Sequence, residues 1–62
     1  MCELTVYTVK GADREKVMDG VVRLVPHDDK VLIEGILGDS VEIAGQLSEV
    51  NITTQKADII IS

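Results

Sequence analysis

The residue best placed to do chemistry is Cys2, the single cysteine in 62 residues, one peptide bond from the first residue, Met1. Its sulfur lies close to two nitrogen donors that no internal cysteine recruits together, the Met1 amine and its own amide nitrogen. With Met1 retained, these three atoms close two fused five-membered chelate rings around one metal ion. With Met1 trimmed, the Cys2 amine and sulfur still close one. Amine, amide and thiolate are strong-field donors that suit square-planar Ni(II) or Cu(II), whereas structural Zn(II) prefers a tetrahedral set of several Cys or His. One cysteine and one histidine are too few for a closed zinc site. A twofold dimer whose first strands lie near the axis would bring two Cys2 residues together as an S2N2 set, with one metal per dimer. Because thiol and amine must lose protons to bind, affinity is expected to fall below about pH 7 to 8.

A packing role for Cys2 competes with this chemistry. Cys2 shares the parity of Leu4 and Val6, and a free cysteine is commonly a small buried hydrophobe. On residue chemistry alone both readings stand. The other reactive groups are weaker candidates. His27 sits in a Pro-His-Asp-Asp run and reads as a solvated turn residue unless other ligands converge on it. Asp28, Asp29 and Asp39 lack the count and spacing of a calcium loop and read as turn formers. There is no Ser/His/Asp order, phosphate-cradling glycine run or HExxH helix, so the expectation is a protein that is not an enzyme.

The elements that must carry Cys2 are read as strands. Glu3 to Val9 alternates β-branched residues, and Lys10 to Asp13 is a turn. Residues 16–25 read as a strand, with a short helix over 13–19 as the alternative, because Val17, Val21 and Val25 also fit a helical repeat. Pro26 to Asp29 punctuates the middle, and Val31 to Leu37 follows as a strand with Gly35 a candidate bulge. Gly38-Asp39 signals a hairpin, Val41 to Ile43 a short strand, Gly45 a corner and Leu47 to Thr53 another strand. Gln55 to Asp58 reads as the last turn, and Ile59 to Ile61 as the closing strand. The expected fold is all-β, a small curled antiparallel sheet or partly open barrel of five to six short strands, in one domain over residues 1–62.

Bulk composition narrows the function. Chains of this size bury only about 60% of the surface exposed on unfolding and often rely on a metal, a disulfide or a second subunit. One cysteine excludes an internal disulfide. The runs VLI, VVRLV and III put apolar side chains on both strand faces, a surplus that a homodimer would bury. Eleven acidic against six basic residues give a net charge of −5, which disfavours phosphate-tracking contacts with nucleic acid. Arg14, Lys16 and Arg23 are too few for a polyanion groove, and one Tyr with no Phe or Trp leaves no stacking platform. No apolar run approaches the length of a membrane span and no basic leader is visible, so a soluble, cytoplasmic protein is expected, consistent with a lone free thiol.

Met1-Cys2-Glu3, the alternating Val and Thr that follow, Val17-Met18-Asp19-Gly20-Val21, the run from Val31 to Gly38 and the run from Ile43 to Asn51 together resemble the CooT family across nearly the whole chain. The resemblance implies a small cytoplasmic homodimer that binds nickel, Ni(II), and serves maturation of a client nickel enzyme, carbon monoxide dehydrogenase. It implies a nickel site at Cys2, with Met1 or its vacated amine as nitrogen donor. Glu3 reads as a surface charge beside the terminus, with a weak oxygen ligand as the alternative. Relatives have also been described as predicted RNA-binding proteins, which the acidity and the scarcity of aromatic residues oppose. The alternative function is a non-catalytic small-barrel adaptor that binds protein or RNA, with Cys2 packed as a structural residue. A third is dimerisation through a Cys2 disulfide.

Overall fold

The computed structural model describes residues 3–61, and within them every regular element is a strand. They are β1 (Leu4–Lys10), β2 (Asp13–His27), β3 (Lys30–Gly35), β4 (Ser40–Ala44), β5 (Gln46–Asn51) and β6 (Lys56–Ile60). They form one curled sheet in the order β4-β3-β2-β1-β6-β5. The expected all-β half-barrel is therefore what the chain builds, with one refinement. Four neighbouring pairs are antiparallel, but β1 and β6 run parallel, in register from Thr5↔Lys56 to Val9↔Ile60.

The curl originates in β2. This 15-residue strand pairs with β1 through its first half and with β3 through its second, and Val21 faces both Leu4 and Gly35. Its register slips between Lys16 and Met18, between Met18 and Val21, and between Val21 and Arg23, each time leaving extra residues on β2. Bulges bend a strand and increase its twist, so three in succession fold the sheet over on itself. Gly20, inside the middle bulge, has φ +62°, a conformation that side chains resist. The bulge expected at Gly35 thus lies across the ladder on β2, and Gly35 closes β3. The helical alternative over 13–19 does not form, because those residues pair along β1.

Other boundaries also move. Pro26 belongs to β2, facing Val31, and the turn is only Asp28-Asp29, with Asp28 at φ +54°. Ile36 and Leu37 leave the expected strand to form the β3–β4 turn. The last turn is residues 52–55 rather than 55–58, so β6 begins at Lys56 and Ala57 enters the core. The Asn51 side-chain oxygen accepts from the Thr54 amide at 3.2 Å and closes this turn.

Bending brings the concave face together around Val6, Val21, Val31, Ile33, Ala57 and Ile59, all fully buried, with Leu4, Met18, Leu24, Ile43 and Leu47 packed beside them. Gly45 alone joins β4, on one edge of the sheet, to β5, on the other. Its amide donates to the Asp29 carbonyl at 2.7 Å, tying the β4–β5 junction to the β2–β3 turn. The apolar surplus is visible as exposed Val22, Ile36, Val50, Ile52 and Ile60, and above all Leu37, 86% exposed.

Candidate functional site

Met1 and Cys2, the two proposed metal ligands, lie outside the described residues. What the structure supplies is the platform to which they are attached. Glu3 leads into β1 beside the Gly20 bulge and the β3–β4 turn, and its exposed side chain borders a cleft with Met18, Asp19, Gly20, Ile36 and Asp39. Backbone bonds stiffen this end. The Ile36 amide donates to the Gly20 carbonyl at 2.8 Å, and the Gly35 amide donates to the Asp39 carbonyl at 2.8 Å. A Cβ on Gly20 would find ordinary contact with Ile36 Cγ2 at 3.5 Å, so the positive φ is the main barrier to substitution there. Gly20→Ala is accordingly expected to cost about 1–2 kcal/mol of stability, measured by urea unfolding.

Asp19, given no role by sequence reasoning, joins this end to the outer face of β1. Lys16 Nζ donates to its carboxylate at 2.8 Å and Thr5 Oγ1 at 3.1 Å. The hydrogen bond from Lys16, then that from Thr5, holds the Asp19 carboxyl below its ordinary pKa. The same bond, with the charge of Asp19, raises the Lys16 ammonium. The stabilisation from Asp19 is present above the ordinary carboxylate pKa and lost as pH falls through the lowered value. That from Lys16 is present below the ordinary lysine pKa and lost as pH rises through the raised one. Both groups are exposed, so solvent screening keeps the contribution small, and it is constant around neutral pH.

His27 is exposed as expected, but it is the last residue of β2, paired with Lys30, rather than a turn residue. Its Nδ1 is 3.3 Å from Asp28 Oδ2, and both side chains are largely exposed. Among the described residues no three His, Cys, Asp or Glu side chains are grouped to hold a metal. The three cations considered for polyanion binding are each occupied. Arg14 donates to Asp58 at 2.8 Å with its guanidinium 4.1 Å from the Tyr7 ring centre, Lys16 is held by Asp19, and Arg23 donates to Glu34 at 2.6 Å. No helix among the described residues is long and apolar enough to cross a membrane.

The sequence model of the family described as CO dehydrogenase accessory protein CooT matches residues 1–61. A solved structure bearing the CooT name, from Carboxydothermus hydrogenoformans, superposes with a TM-score of 0.87 at 21% identity, covering 98% of each chain. At that identity the likeness speaks for the fold. No curated protein matches the sequence. With the match taking in all six strands and the residues ahead of them, the chain belongs to the CooT family, described as CO dehydrogenase accessory proteins.

Proposed function

We propose that this protein is a non-catalytic nickel carrier for maturation of carbon monoxide dehydrogenase, which takes up Ni(II) through Cys2 and the Met1 nitrogen across a homodimer. The observation that carries the reading is that the family match begins at residue 1 and so includes both ligand positions. The donor chemistry agrees, since amine, amide and thiolate in adjacent positions favour Ni(II) over hard cations. Glu3 lies at the end of the sheet where Ile36 and Leu37 are exposed. A second copy seated on those side chains would bury apolar surface and bring two Cys2 residues to one axis. A site of few protein ligands at such an edge suits an ion that must be handed on.

The test is Ni(II) titration followed by absorbance. Thiolate-to-nickel charge-transfer bands should saturate at one ion per two chains and weaken below about pH 7. Cys2→Ser should abolish the bands while the thermal melt and the sedimentation of the dimer are unchanged. A silent titration of the intact protein at pH 8 overturns the reading.

A further inference from the structure

At the opposite corner from the β3–β4 turn, the junction of β4 with β5 forms a cleft of about 640 Å³ that sequence reasoning passed over. Its lining includes Asp29, Gly45, Gln46, Ser48 and Ile60, with the half-exposed Ile60 side chain on the same face as Gln46, its partner in the ladder. That volume falls within the range of ligand-binding sites. The cleft is open along one side, however, and a free small molecule would bury too little of itself there. It suits a side chain presented from a larger surface.

The rim is fixed and carries an unneutralised charge. Asp29 is pinned through its carbonyl by the Gly45 amide and sits in a two-residue turn. Among the described residues Asp29 takes part in no ion pair. Its neighbours Lys30 and His27 face Glu42 at 3.8 Å and Asp28 at 3.3 Å. Glu49, the residue after Ser48 on β5, is likewise outside the ion pairs found. Ile60 offers the apolar surface along which the stem of a long cationic side chain lies, while Gln46 and Ser48 offer acceptors near its head.

We propose that this cleft receives a lysine or arginine side chain of a partner protein, its methylenes on Ile60 and its charge on Asp29. The proposed dimer seats its second copy at the opposite end of the sheet, on Ile36 and Leu37, which leaves this cleft to another protein. Strand addition along β5 is also opposed. The β5–β6 register slips between Leu47 and Glu49, and a bulge of this kind breaks up the edge an incoming strand would need. Recognition is by side chain and charge.

The probe is the peptide Ac-Ala-Arg-Ala-NH2, titrated into the full chain and followed by amide chemical shifts at low salt. Saturable shifts are expected at Asp29, Gly45 to Ser48 and Ile60. The neutral isostere with citrulline in place of arginine should bind at least about tenfold more weakly, as should arginine peptide to Asp29→Asn, which retains the turn. Ser48→Lys, which places the protein's own cation at the rim, should abolish the shifts while leaving the remaining spectrum unchanged. Equal binding of the citrulline peptide, or unchanged binding by Asp29→Asn, overturns the proposal. So do shifts spread over unrelated carboxylates, or concentration-dependent shifts of these amides without peptide, which would assign the cleft to a second copy.

Discussion

Gly45→Ala is expected to lower stability by about 3 kcal/mol or more, enough to unfold much of a domain whose total stability is about 3–9 kcal/mol by its length. The cause is steric. A Cβ at position 45 would lie 2.6 Å from the Ile60 carbonyl oxygen, 2.8 Å from Ile61 Cγ2 and 3.0 Å from Ile59 Cγ2. The nearest of these is backbone in β6, so no side-chain rotation relieves it. Either β6 shifts away from β1, on which it is registered from Thr5 to Val9, or the Gly45 amide gives up the Asp29 carbonyl. Both outcomes open the corner that closes the half-barrel. Urea unfolding with circular dichroism reads the effect, and a midpoint within experimental error of the parent would show that the corner is softer than its contacts imply. The contrast with Gly20→Ala separates two reasons for glycine, space in one case and backbone angle in the other.

The second large effect is expected in the core. Ile33 and Ile59 are the largest fully buried side chains, on β3 and β6. Ile33 faces Leu24 on β2 and Val41 on β4, so its truncation leaves a void lined from three strands. Ile33→Ala should cost about 2–5 kcal/mol, while Ile33→Val should cost about 0.5–1.5 kcal/mol. Leu37→Ser, at a side chain 86% exposed, should change the stability of the single chain by no more than about 0.5 kcal/mol. A dilution series of thermal melts would reveal whether Leu37 matters instead to association, since only a dimer makes the melting temperature depend on concentration.

The strands were legible where alternation and turn chemistry agreed. Glu3 to Val9, Gly38-Asp39 and the Gly45 corner appear in the fold nearly where the residue pattern puts them. The differences have physical causes. Pro26 reads as a break because it cannot donate to a ladder, yet it is accommodated at the end of β2, next to the hairpin. Ile52 has the β-branching of a strand residue, but the Asn51 side chain captures the Thr54 amide and turns the chain there. The parallel pairing of β1 with β6 has no local signature, because it depends on the single-residue crossing at Gly45 that sends the chain from one edge to the other. For the metal site, donor chemistry was legible at Cys2 and Met1, but these lie outside the described residues. The Asp29 cleft joins a turn to strands 15 or more residues further on, a juxtaposition that spacing along the chain does not encode.

The position of β6 also dictates when this protein can exist as a folded object. Ala57 and Ile59 complete the core from a strand lodged between the first strand and the fifth. A nascent chain that has emerged only through Asn51 therefore holds the four-stranded meander from β1 to β4, with Val6, Val21, Val31 and Ile33 still lacking the two β6 side chains that cover them. Its first strand must wait with an unsatisfied edge until nearly all the polypeptide has left the ribosome. High contact order of this kind slows folding and lengthens the interval in which an exposed edge can capture the wrong neighbour. Truncation before Lys56 should yield an aggregating fragment, whereas additions after Ile61 leave the embedded strand intact.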